Sequence, residues 1–217
     1  MGEMTSTSTN QLHGVDEGRR EAGDGDQIKS RERVIDLAEV FTHQREVKEM
    51  LDFVPDMFES MDSTFLEPAC GNGNFLVEIL SRKLALIDEA ESARTENWPE
   101  VGVLRAVASI YAVDICNDNI AEARERLTEV VVRDFAQRGQ TPSSGFTSAL
   151  DVILQANVIR GDTLNGAADI VFYEWSVFDD ESFIRTPFPL EPREYDLFDP
   201  PPEPLAPVHY AQLGEDK

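Results

Sequence analysis

Apolar positions along this chain follow two rhythms, and the switches between them mark its elements. From Ser30 the segment SRERVIDLAEVF sets Val34, Leu37, Ala38 and Phe41 on one helical face. HQREVKEMLDFV reads as a second helix, with Pro55 as its stop. TFLEPA, beginning at Thr64, is a short buried strand, and NFLVEILSRKLALIDEA turns Phe75, Leu76, Ile79, Leu80, Leu84 and Ile87 inward on the next helix. Residues 90–104 read as an insertion, and AVASIYAVDI as the second strand. In NDNIAEARERLTEVVVRDFAQRG the spacing predicts a long helix, capped by Asn119 with Glu122 three residues on and ended by Gly139. TPSSGFTSALDVILQA predicts a turn and a helix, and NVIRGD a third strand.

Strand, helix, strand, helix, helix, strand over residues 64–162 predicts a parallel sheet with helices on its faces. The pattern then changes. DIVFYEWSVF and SFIRTPFPL, rich in β-branched and aromatic residues and separated by DDE, predict an antiparallel pair. The organisation expected is a disordered acidic tail over 1–28, one α/β domain over 29–190, and a proline-rich acidic tail over 191–217.

Charge narrows the partners. The 217 residues include 42 acids and 19 bases, a net charge of −23. Such a surface repels a nucleic-acid backbone, so a role on DNA requires a local basic patch or a partner subunit to supply the phosphate contacts. Cys70 and Cys116 have the character of small buried thiols, and three scattered histidines do not make a metal site. No apolar run is long enough to span a membrane. MGEMTS matches a myristoylation pattern at Gly2 and Ser6, but no basic cluster follows to add a second membrane signal. A cytoplasmic protein is the expectation.

The chemistry gathers at strand ends, where ligands of open α/β sheets bind. In LEPACGNGNF, Gly71 and Gly73 allow positive φ and a close backbone approach, and the helix opening near Asn74 directs free N–H groups at the same place. Glu67, followed by Pro68, can accept from a ligand amine or hydroxyl, and Phe75 follows the loop. Asp114 ends the second strand, placed to take the hydroxyls of a ribose, and Asp162 ends the third, placed to accept from an adenine amino group. Each acid taken singly is more often a helix-capping or loop residue.

FLEPACGNGNFL, YAVDICNDNIAEAR and VIRGDTL, in that order, resemble the first three motifs of class I methyltransferases, and EPACGNGNFL is most similar to adenine-N6 DNA methyltransferases of restriction–modification systems. LAEVFTHQREVKEMLD resembles the segment that covers the methionine end of the cofactor there, with His43 where that family has proline. The resemblance implies a Rossmann-like doubly wound sheet, shortened at its C-terminal end and completed by antiparallel edge strands. It implies S-adenosyl-L-methionine as cofactor, with Glu67, Gly71 and Gly73 holding the methionine moiety, Asp114 the ribose and Asp162 the adenine, and with Phe41, Thr42, Pro68, Phe75 and Ile115 also in the cofactor site. The family's catalytic Asn/Asp/Ser-Pro-Pro-aromatic motif has one counterpart, Asp199-Pro200-Pro201, with Pro202 at the aromatic position.

Three functions follow as expectations: an adenine-N6 DNA methyltransferase working within a hetero-oligomer, an S-adenosylmethionine-binding module without its own catalytic loop, and an acidic protein mimicking DNA. The glycine loop counts against the third, since a charge decoy has no use for one.

Overall fold

A computed structural model describes residues 42–87, 98–191 and 202–215. The expectations for the acidic N-terminal tail, the helix from Ser30, Phe41, and Asp199, Pro200 and Pro201 lie outside the described residues.

The parallel sheet is present and small. Strands β1 (Phe65–Glu67), β2 (Ile110–Asp114) and β3 (Val158–Arg160) lie in the order β1-β2-β3, with Phe65 opposite Ile110 and Ala112 opposite Val158. Central β2 is buried at every position, as an apolar run between two parallel neighbours should be. Among the described residues, four helices belong to this unit: α1 (Gln44–Leu51), α2 (Asn74–Leu84), α3 (Trp98–Ala108) and α4 (Asn117–Gln137). A fifth, α5 (Ser144–Asn157), leads directly into β3. Leu76, Ile79, Leu80 and Leu84 give α2 its buried stripe, and Ile120, Ala123, Leu127, Val130 and Val131 give α4 its own. Lys83 shares the α2 stripe but is no free cation: its Nζ donates to the carbonyls of Met61 (2.7 Å) and Ser63 (2.6 Å), fixing the chain entering β1.

The two faces of the parallel sheet have different covers. Ile110 and Ala112 pack in the main core with the helices, whereas Tyr111 and Val113 pack with Ile170 and Phe172. Those residues lead into or belong to a second sheet, β4 (Val171–Val177), β5 (Ser182–Pro189) and β6 (Val208–His209), antiparallel throughout. The predicted antiparallel pair therefore exists, but as a separate sheet rather than as edge strands of the parallel one. That sheet covers the face which a doubly wound fold would give to helices. The Tyr111 hydroxyl, donating to the Tyr173 carbonyl at 3.1 Å, joins the two sheets.

Other local expectations shift. The second strand is only the last half of the run read for it: Ala106, Val107 and Ala108 end α3, which begins within the supposed insertion. Pro99 suits a first helical turn, and Val101, Val103, Leu104, Ala106 and Val107 are buried all round, so no one-sided stripe betrayed the helix. Asn119 does not cap α4, which starts at Asn117; its Nδ2 donates instead to Asp114 Oδ1 (3.2 Å). Gly139 ends α4 as expected, at φ 68°.

The stretch 191–217 is not simply a tail. Val208 pairs with Phe183, and Tyr210 and Leu213 are buried in the main core. Buried Glu100 holds this segment down, accepting from Ser143 Oγ (2.8 Å) at the start of α5 and from the Tyr210 hydroxyl (2.7 Å). A Cβ on Gly145 would come within 2.6 Å of Ala211 Cβ, which shows how closely this segment lies on α5.

Candidate functional site

β1 ends at Glu67, and the chain turns at once into the glycine loop. Cys70 N–H donates to the Val113 carbonyl (2.9 Å), so the loop begins by following β2. Gly71 and Gly73 then take φ 52° and 87°, the left-handed region where glycine is favoured. Gly73 has a structural reason of its own: a Cβ there would meet Ala123 Cβ at 3.1 Å and Cα at 3.3 Å. Close approach of α4, and not only of a ligand, demands that glycine. No side chain caps α2 at Gly73, so the first N–H groups of the helix lack a side-chain acceptor there.

Neighbouring elements brace the loop. Gly71 N–H donates to Asp114 Oδ2 (2.9 Å), Asn72 Nδ2 to Glu122 Oε1 (2.9 Å), and Arg126 Nη1 to the Asn72 carbonyl (2.7 Å). From the other side Asn74 Nδ2 donates to the Thr42 carbonyl (2.9 Å). Thr42, Glu67, Gly71, Asn74 and Phe75, with Cys70 and Asn72, thus line one cavity of about 120 Å³. Asn72 Oδ1 is buried beside it without a hydrogen-bond partner. Asn72, Asn74, Glu122 and Arg126 were missed in the sequence. The spacing of Glu122 and Arg126 puts both on one face of α4, but nothing in the sequence says that this face meets the loop.

Two charges characterise the cavity. Burial raises the Glu67 carboxyl above its ordinary value, opposed by a hydrogen bond from Ala69 N–H at 3.3 Å. Its other acceptor positions face no donor among the described residues. Burial, reinforced by Asp114 and Glu67, pushes the Cys70 thiol up to about 12, so it stays protonated and is no nucleophile.

The acids of β2 and β3 behave differently. Asp114 is buried and already accepts three hydrogen bonds, from Gly71 N–H, Cys116 N–H (2.8 Å) and Asn119 Nδ2. A carboxylate has about four lone-pair positions, which leaves one for a ligand. Ile115 beside it is half-exposed, and its carbonyl accepts from Arg160 Nε (3.0 Å). Asp162 closes its own turn: Oδ1 accepts from the N–H groups of Leu164 and Asn165, and Oδ2 from Asn165 Nδ2 (2.9 Å). Those bonds, the Asn165 side chain first, hold its carboxyl below the usual range. Neither Asp114, Ile115 nor Asp162 lines the cavity with Glu67. Pro68 does not line it either, but its carbonyl accepts from Thr163 Oγ1 (3.2 Å), stitching the loop after β1 to the loop after β3.

The residues fit the amino-acid end of S-adenosylmethionine: an acidic acceptor for the ammonium and uncapped helix N–H groups for the carboxylate. Among the described residues no three metal-ligating side chains come together, and no helix is long and apolar enough to cross a membrane. Comparisons with protein-family models, with curated proteins and with solved structures find no match for this chain.

Proposed function

We propose that this chain is an S-adenosylmethionine-dependent methyltransferase domain of Rossmann-like type, acting on adenine N6 in DNA together with a basic partner subunit. The observation that carries the reading is the convergence of Thr42, Glu67, Gly71, Asn74 and Phe75 on one cavity at the uncapped start of α2. Glu67 would hold the ammonium of the cofactor, the α2 N–H groups its carboxylate, and the remaining lone pair of Asp114 a ribose hydroxyl. S-adenosylmethionine, when bound, supplies an electrophilic methyl group. The protein's share of catalysis is then mostly positioning, with the target amine held in line and desolvated. The resemblance supplies the substrate and assigns Asp199, with Pro200 and Pro201, to holding that amine.

A second reading has its own support. Among the described residues the parallel sheet stops at β1, so no described strand beyond it carries a catalytic loop to the cavity. That favours a cofactor-binding module which leaves chemistry to another chain. Transfer of labelled methyl groups from S-adenosylmethionine to duplex DNA, measured with and without Asp199→Ala, separates the two. The enzyme reading expects N6-methyladenine from the unchanged chain with its partner and none from the variant. Equal product from both would remove Asp199 from the mechanism.

A further inference from the structure

The parallel sheet has an open side at β1. Phe65 N–H donates to the Ser109 carbonyl (3.0 Å), so Phe65 and Glu67 direct their peptide groups at β2. In a parallel ladder the residue between them turns its N–H and C=O the opposite way. That residue is Leu66, and no group among the described residues pairs with it on that side. Its side chain is 48% exposed, unusual for a parallel strand. Beside it lies a cleft of about 350 Å³ lined by Leu66, Tyr111, Phe172, Phe188, Thr64 and Glu174, among others. Across the cleft β4 pairs, among the described residues, only with β5, so its other edge is open there, with the Tyr173 carbonyl occupied by Tyr111.

An unpaired strand edge beside an apolar cleft is a template for an added strand. Charge decides whose. Glu174 is the charged side chain among the described residues lining the cleft, and Glu67 closes the end of β1. A second copy carries the same net charge of −23, and like charge opposes its approach. We propose that the β1 edge binds a short extended segment of a different, basic chain, its apolar side chains on Leu66, Tyr111, Phe172 and Phe188 and its cationic ones towards Glu174. With β1 only 3 residues long, the added strand is a few residues long, and backbone pairing through Leu66 sets its register. This docking site does not require the cofactor, and it goes with the cofactor-binding-module reading, because in the enzyme reading the segment leading to Asp199 would itself lie along β1.

The test is amide hydrogen exchange at Leu66 in the full chain, read by NMR with a blocked Val-Thr-Lys-Thr-Val-Thr hexapeptide, whose valines and lysine share one face of a strand, a counterpart with glutamate in place of lysine, and no peptide. The expected result is fast exchange alone, slowing by at least about tenfold with millimolar lysine peptide, and no change with the glutamate peptide. Leu66→Lys, at an exposed position that leaves the β2 ladder intact, should keep the native circular dichroism and lose this protection at residue 66. Slow exchange without peptide would mean the chain covers its own edge and would overturn the proposal. Protection that rises with protein concentration alone would assign the edge to a second copy and overturn it equally. So would protection that is the same with both peptides, or that survives in Leu66→Lys.

Discussion

Glu67 ends β1, Asp162 lies in the loop two residues past the end of β3, and the two acids are used in opposite ways. Asp162 spends its acceptors on Leu164 and Asn165, in an exposed turn that closes on itself. Glu67 receives one long bond from Ala69, and the rest of its loop is held by other elements: Asp114 on β2, Glu122 and Arg126 on α4, and the chain before α1. A turn that satisfies itself has little left for a ligand. A loop held open by its neighbours keeps an acceptor and a helix N-terminus facing one cavity. Position at a strand end is therefore a weaker sign of a site than where the carboxylate's hydrogen bonds go.

The contrast can be broken first at Gly73. Gly73→Ala should destabilise by about 2–4 kcal/mol, combining left-handed backbone strain with the clash against Ala123. Gly139→Ala, also at positive φ but with nothing within 4 Å, should cost only about 1 kcal/mol in the same denaturant titrations. Equal costs would mean that α4 does not press on the loop. Asp114→Ala comes next: losing the brace on Gly71 should cost about 2–4 kcal/mol of stability and weaken cofactor binding by about 1.5–3 kcal/mol. Unchanged cofactor affinity in a folded variant would detach Asp114 from the site.

Glu67→Gln has a smaller effect, of opposite sign on stability and on binding. Burial raises the folded-state pKa of Glu67, so its neutral form contributes stability that is complete below the ordinary value of 4.5 and lost as pH rises through the raised one. At neutral pH the ionised group is a cost. The glutamine variant should melt slightly higher than the parent, by less than about 1 kcal/mol after solvent screening, with the gap opening above pH 4.5. Its cofactor affinity should fall. A melting curve that shows no pH-dependent gap would mean the carboxylate is well solvated. Smallest of all, Asp162→Ala should leave both the melting temperature and cofactor affinity close to the parent; a clear loss of affinity would return Asp162 to the adenine site.

Much of this was legible in the sequence, and what was not has physical causes. The one-sided stripes of α2 and α4 and the alternating aromatics of β4 and β5 identified those elements. α3 was partly read as strand because its residues are buried on nearly every side, which erases the period that separates helix from strand. The final segment was read as a tail because proline density hides Tyr210 and Leu213, whose burial depends on Glu100, far earlier in the chain. At the site, Glu67, Gly71 and Phe75 were legible from their order around one turn, and Thr42 only through the resemblance of the segment before α1. The bracing by Glu122 and Arg126 was not, because it depends on how α4 packs against that turn. Asn165, three residues after Asp162, was the available sign that this acid would cap its own turn.

The central claim is that the cavity after β1 holds the amino-acid end of S-adenosylmethionine. Calorimetric titration of the full-length chain with that cofactor tests it most directly. Saturable binding with a dissociation constant on the order of micromolar, abolished or severely weakened in Glu67→Ala, is the predicted result. No binding at millimolar cofactor, or equal binding by the folded Glu67→Ala variant, would contradict it.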